Sequence, residues 1–247
     1  MKLCRIAHRS FENPCYVTAE ALDSLRLDEV KMLAPVTPSK IVCVGRNYRE
    51  HAAELGNKMP DEPLLFLKAP SAVIASGDRI ELPSASHQVE HEGELGVVIG
   101  RTARFVPRDE ALDHVAGYTI INDASARDFQ MITSQWMAGK IFETAAPMGP
   151  YIADREEIPD PHVLDLKTFV NGKQMQRGNT KTLIFDVRYL VSYLSNLTTL
   201  SPGDVIATGT PPGVGLGMKP PVWLQPGDVC RMEITDLGVL ENPVKDA

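Results

Sequence analysis

From Lys40 onward the chain alternates short apolar runs with turn-forming residues, and this spacing predicts a protein built mainly of strands. The runs "KIVCVG", "PLLFLK", "DRIELP", "ELGVVIG", "GYTIIND", "LKTFV", "DVIATG" and "CRMEIT" are rich in branched aliphatic residues and bounded by Gly, Pro, Asp or Asn. Between "LKTFV" and "KQMQ" stands Asn171-Gly172, two residues that tolerate positive φ, which predicts a tight hairpin. Helical periodicity is scarce. Val187, Leu190, Val191, Leu194 and Leu197 recur at helical spacing and predict one helix near 187–197. A shorter one, "NYREHAAEL", is expected to start from an Asn47 cap and stop at Gly56. No strand–helix rhythm of a doubly wound sheet is present, so the class is α+β and mostly β. Residues 1 to about 33 are weakly periodic and lead into "LAPVTPSK", whose prolines mark a boundary. A small N-terminal subdomain over 1–37 and a main domain over 38–247 are expected.

One run breaks the apolar pattern. In "VEHEGELGVVIG", Glu90, Glu92 and Glu94 share one parity, so on a strand all three carboxylates face the same side, next to residues that read as buried. Either that end of the strand is solvated or something positive sits among the charges. Two adjacent same-face glutamates can reach one hard cation, and oxygen-only ligands favour magnesium, manganese or calcium over zinc. Asp123, just after "GYTII", offers a third oxygen at a strand end. From spacing alone the solvated face is the commoner outcome.

Composition narrows the function classes. With 43% hydrophobic and 23% charged residues the chain reads as a soluble globular protein. A net charge of −7 with no basic run argues against nucleic acid and anionic membrane as partners. No stretch has the length of a signal peptide core or a membrane span, so a cytoplasmic protein is expected. Cys4, Cys15, Cys43 and Cys230 are too scattered for a zinc knuckle or a redox pair and read as reduced, mostly buried packing residues. The sequon at Asn196 then carries no meaning.

Three other stretches can carry chemistry. His51 and Glu54 of "GRNYREHAAELG" share a helix face, and a carboxylate beside an imidazole makes a general base; a surface His–Glu pair fits the same spacing. Lys140 is the one charge between Gln135 and Phe142, suited to a bound carboxylate or a developing enolate, or to snorkelling at the surface. The glycine-rich "ATGTPPGVGLG" lacks the ending of a P-loop and fits a turn that approaches a small ligand better than a nucleotide site.

In this order, "VGRNYREHAAELG", "FLKAPSAV", "HEGELGVVIG", "INDASARDFQ", "GKIFETAAPMGPYI", "VNGKQMQRGNT" and "TGTPPGVG" resemble the fumarylacetoacetate hydrolase family over about residues 40 to 215. "KPPVWLQPGD" is similar to its catechol-pathway 2-oxo-acid hydratases and isomerases. The resemblance implies a mixed β-sheet roll with few helices, a homodimer and one divalent ion. It implies Glu92, Glu94 and Asp123 as metal ligands for Mg2+ or Mn2+, with Ca2+ as a non-physiological occupant; Glu90 falls outside the matched motif. It implies His51 and Glu54 as a water-activating dyad, Lys140 beside the substrate, and Arg127, Gln130 and Thr210 as groups holding its carboxylate end. Ile141 and Glu143 depart from the serine and aspartate commoner in relatives.

The substrate implied is a small anionic 2-oxo acid that forms an enolate. The His51–Glu54 pair tilts the expectation toward chemistry that uses a general base, which includes both C–C hydrolysis and tautomerisation; C–C hydrolysis of an acylpyruvate is placed first. Oxaloacetate tautomerisation or decarboxylation and 2-hydroxyhepta-2,4-diene-1,7-dioate isomerisation are the alternatives. A non-catalytic metal- or carboxylate-binding module is the reading from another class; the presence of His51, Glu54 and Lys140 weighs against it.

Overall fold

A computed structural model describes residues 1–8, 13–22, 25 and 30–247. The N-terminal part contributes β1 (Lys2–His8), β2 (Cys15–Thr18), α1 (Ala19–Leu22) and β3 (Val30–Leu33). Then come β4 (Ile41–Gly45), α2 (Arg49–Glu54), β5 (Leu64–Lys68), β6 (Val73–Ile74), β7 (Ile80–Leu82), β8 (Val89–Glu90) and β9 (Gly93–Ile99). The middle of the chain forms β10 (Val115–Asn122), β11 (Ser125–Ala126), α3 (Arg127–Gln130) and β12 (Ala146–Asp154). The rest is β13 (Asp165–Val170), β14 (Lys173–Asn179), α4 (Val187–Leu197), β15 (Val205–Ala207), β16 (Val229–Ile234) and β17 (Gly238–Asp246).

Among the described residues these strands make a ten-stranded mixed sheet and a five-stranded sheet. The large sheet runs β2-β1-β12-β10-β9-β15-β4-β5, with β3 on β1 and β6 on β12. The smaller runs β14-β13-β16-β17-β7, and β8 pairs with β11 as a separate ribbon. Most pairs are antiparallel; β15 with β4, β12 with β6 and β17 with β7 are parallel. The expected roll of mostly β structure with few helices is what the chain forms. Its N-terminal strands make a small subdomain that joins the large sheet where Lys2 and Leu3 pair with Ala153 and Ile152.

The main core lies between the sheets and under α4. Leu95, Val97, Ile120, Ile206, Met232 and Ile234 meet there with Val187, Leu190, Val191 and Leu194. The helix spans the predicted residues and is capped by Asp186, whose carboxylate accepts from Tyr189 N at 2.7 Å. Asn171 and Gly172 turn the β13–β14 hairpin at φ 52° and 76°.

Two local expectations are corrected. The helix after β4 starts at Arg49, and Asn47 does not cap it. Asn47 is fully buried, and its side chain bonds the backbone of Phe185 and Thr208, partners too distant in sequence for a local pattern to show. The acidic run is not one strand either. It breaks at His91 and Glu92, between β8 and β9. The N–H groups there are satisfied by side chains, Glu92 N by Asn122 Oδ1 at 3.0 Å and Gly93 N by Gln176 Oε1 at 3.0 Å.

Candidate active site

The start of β9 and the end of β10 are hydrogen-bonded neighbours, with Gly93 opposite Asn122 and Glu94 opposite Ile121. Asp123 follows directly, its N–H donating to Glu92 O at 2.9 Å. That pairing places Glu92, Glu94 and Asp123 together at the floor of a cavity of about 430 Å³. One carboxylate oxygen from each lies within 4.8 Å of the others, and all three residues are buried. Oxygens bound to one hard cation at about 2.0–2.6 Å must lie this close together, so the donor set can chelate a divalent cation. The solvated-face alternative is excluded.

The cluster is held by buried cations. Lys140, 1% exposed, donates to Glu92 Oε2 at 2.6 Å and Asp123 Oδ2 at 2.7 Å, which rules out a surface role for it. Lys68 donates to the other Asp123 oxygen at 2.6 Å and to Ala124 O at 3.0 Å. Arg127 joins Glu90 and Glu92 and donates to Gln130 Oε1 at 2.6 Å. Lys68 and Glu90 are the members that motif reasoning left unassigned. The available signals were a lysine closing an apolar strand and the shared parity of Glu90 with its neighbours.

Electrostatics distinguishes the carboxylates. Burial works against the charge of Glu92, but Arg127 and Lys140 outweigh it and hold the carboxyl below its usual range. Burial, reinforced by the charges of Asp123 and Glu92, pushes Glu94 well up, and the N–H of Gly209 at 2.8 Å offsets only part of this. Glu90 is also raised by burial, against the pull of Arg127. For Lys140 burial is overcome by Asp123 and Glu92, and its pKa rises to about 12. Glu94 is thus a buried acid with no ion-pair partner among the described residues, the Lys140 charge acting on it only weakly, and a bound divalent ion would supply one.

His51 and Glu54 stand on α2 in the cavity wall, with His51 Nδ1 3.1 Å from Glu54 Oε2. His51 is buried, so this is not a surface pair. Glu54 is also tied to the glycine-rich loop, where Gly213 N donates to its other oxygen at 2.9 Å. The same loop donates from Leu216 N to Glu90 at 2.5 Å. Gly213 is at φ 101°, and a Cβ there would lie 2.0 Å from Met175 O, so the turn needs glycine. Three N–H groups of this loop therefore face glutamates of the chain itself. Thr210 lines the cavity, but its hydroxyl donates to Gly93 O at 3.0 Å and accepts from Gln176 at 2.7 Å.

The four cysteines are free, three of them buried, and no helix among the described residues is long and apolar enough to cross a membrane.

Comparison with known proteins accords with this geometry. Residues 40–245 match the family profile described as fumarylacetoacetate (FAA) hydrolase, C-terminal. The chain is 43% identical over 240 residues to a Xenopus laevis protein named oxaloacetate tautomerase fahd2, mitochondrial, covering 94% of this chain and 75% of that one. Its fold is similar to a solved 5-carboxymethyl-2-hydroxymuconate delta-isomerase from Mycobacterium smegmatis, with TM-score 0.87, 39% identity and coverage of 100% and 99%. It is equally similar to a fumarylacetoacetate hydrolase from Exiguobacterium antarcticum, with TM-score 0.89, 37% identity and both chains fully covered. The chain belongs to the fumarylacetoacetate hydrolase family and is an enzyme of that family, with a buried carboxylate triad able to take a divalent cation.

Proposed function

We propose that this enzyme moves a proton on a small anionic 2-oxo acid, interconverting its keto and enol tautomers or shifting its double bond. The observation that carries the reading is the meeting of Glu92, Glu94 and Asp123 with Lys140 at one cavity floor. Resemblance to an oxaloacetate tautomerase and to a hydroxymuconate isomerase supports it. Glu92, Glu94 and Asp123 would hold Mg2+ or Mn2+, which would supply Lewis acidity toward the anionic substrate. Lys140 adds a fixed positive charge beside the oxygen on which negative charge builds as the C3 proton leaves. His51 takes that proton and returns it to the same substrate, at the oxygen for keto–enol exchange or at a carbon further along for a double-bond shift. Glu54 against Nδ1 fixes the ring and leaves Nε2 as the atom that accepts. Arg127 holds the Gln130 oxygen, which turns the amide nitrogen, without an acceptor among the described residues, toward the substrate.

C–C hydrolysis of an acylpyruvate is the second reading, and the His51–Glu54 contact favours it: the same base can activate water against a carbonyl further along the chain. Residues 1–37 act in both readings as a small subdomain beside a catalytic domain of 38–247, in keeping with the family match over 40–245. A cytoplasmic homodimer completes the proposal.

The test is an assay with Mg2+ or Mn2+, supplying enol-oxaloacetate and acetylpyruvate with and without chelator, and identifying the products. Chelator-sensitive loss of the enol with oxaloacetate as product supports proton transfer. Pyruvate and acetate from acetylpyruvate, with slower tautomerisation, would select hydrolysis instead. Turnover of neither substrate would sink both readings.

A further inference from the structure

Two cations expected to meet the substrate, Lys140 and Arg127, are already matched by carboxylates of the chain. Arg46 is not. It follows β4 at φ 56°, a left-handed conformation unfavourable to a non-glycine residue, and it lines the cavity. Its guanidinium carbon lies 5.2 Å from the centre of the Trp136 ring. Gly45 permits that support, since a Cβ at position 45 would come within 2.5 Å of the ring. Trp136 itself rests against Phe66, with ring centres 5.6 Å apart. No carboxylate or carbonyl among the described residues accepts a hydrogen bond from Arg46. Burial and then the like charge of Arg127 lower its pKa, and no acid opposes them.

Charge counting shows what is left for it to bind. Four buried carboxylates, Glu90, Glu92, Glu94 and Asp123, face three buried cations, Lys68, Arg127 and Lys140. A divalent ion makes that cluster positive by one, and the carboxylate of a 2-oxo acid brings it to neutrality. The other charged side chains lining the cavity are Glu54, engaged by His51 and Gly213 N, and Lys219, so the mouth holds one acid against two cations, Lys219 and Arg46. Arg46 remains as one positive charge on a fixed aromatic platform, in a cavity whose chemistry already accounts for the first carboxylate.

We propose that Arg46, stacked on Trp136, recognises a second carboxylate, so that the enzyme prefers 2-oxo dicarboxylates to 2-oxo acids with an uncharged tail. The proposal rests on the 2-oxo-acid reading given above. A planar guanidinium offers a carboxylate two parallel hydrogen bonds, and the ring beneath restricts its orientation before the ligand arrives.

The test compares ligands of equal chain length on the Mg2+-loaded protein: oxaloacetate against 2-oxobutanoate, and 2-oxoglutarate against 2-oxopentanoate, by calorimetry. In the native protein the dicarboxylate of at least one pair should bind about ten- to a hundredfold more tightly. Arg46→Gln keeps the backbone conformation available and should reduce that preference to within about threefold, with monocarboxylate affinity changed by less than about twofold. Arg46→Lys, which keeps the charge without the planar fork, should retain part of it. Equal binding within both pairs, an unchanged preference in R46Q, or equal loss for both members of a pair would overturn the proposal. Metal-dependent binding of none of the four acids would instead overturn the 2-oxo-acid reading on which it stands.

Discussion

Asn47 grips Phe185 from both sides: its Nδ2 donates to Phe185 O at 2.9 Å while its Oδ1 accepts from Phe185 N at 2.8 Å. The same Nδ2 donates to Thr208 O at 2.7 Å, and Asn47 O accepts from Ile184 N at 2.8 Å. One fully buried side chain thereby ties the end of β4 to the loop before α4 and to the loop after β15, just ahead of the helix that carries His51. Asn47→Ala would leave buried backbone groups unpaired and should cost about 2–5 kcal/mol. Asn47→Asp should cost at least as much, because a carboxylate would face two carbonyl oxygens. Denaturant unfolding of the two variants checks this, and a loss below about 1 kcal/mol in both would contradict it.

Glu94 gives a prediction with two signs. Burial and the charges of Asp123 and Glu92 disfavour its ionised form in the empty protein, so Glu94→Gln should leave the melting temperature of the metal-free protein unchanged or higher. The same change removes a ligand. Saturating Mg2+ or Mn2+ at about a hundred times Kd should stabilise the native protein by about 2.7 kcal/mol, a rise of roughly 5–10 °C at this size. E94Q should show little of that rise. A full metal shift in E94Q would take Glu94 out of the ligand set.

Legibility in the sequence followed the range of the contacts. The hairpin at Asn171-Gly172 and α4 are local, set by φ preference and by residues three or four apart, and both appear where the pattern puts them. The convergence of Glu92, Glu94 and Asp123 was legible because the matched motifs group these residues. Lys68 and Asp123 are 55 residues apart, and Arg127 lies 37 from Glu90, so no window along the chain brings those partners together. The break at His91 and Glu92 was hidden for the same reason: the acceptors that make it tolerable, Asn122 and Gln176, come from distant strands.

Acid sensitivity should trace in part to Asp204. Its carboxylate accepts from Ser39 Oγ at 2.6 Å, Ser201 N at 2.6 Å and Lys40 N at 3.2 Å, and it pairs with the Lys40 ammonium. Burial raises its pKa, but Lys40, Ser39 and Ser201 prevail and leave it below 3.8. Because the folded value lies below the unfolded one, the stabilisation is full above about pH 4 and disappears as pH falls through the folded pKa. Asp204→Asn should therefore cost about 1–3 kcal/mol at pH 7, with the gap to the native protein closing below pH 4. A gap that stays constant down to pH 2 would assign the cost to packing alone.

His51 separates proton transfer from binding. It lies outside the carboxylate triad, so His51→Ala should leave Mg2+ affinity close to native, while its burial and its contact with Glu54 mean that the truncation lowers the melting temperature by a few degrees. Turnover that needs a base should fall about 10²–10⁴-fold. Glu54→Gln keeps a hydrogen-bond acceptor beside Nδ1 but removes the carboxylate charge, and should fall less far. Its oxygen can still accept from Gly213 N, so the loop contact is preserved and the comparison isolates the charge. Measuring kcat and KM for enol-oxaloacetate in all three proteins distinguishes the roles: a base lowers kcat at nearly constant KM, whereas a group that merely shapes the wall raises KM. Native kcat in H51A would remove His51 from the reaction and leave the proton to another group of the cavity.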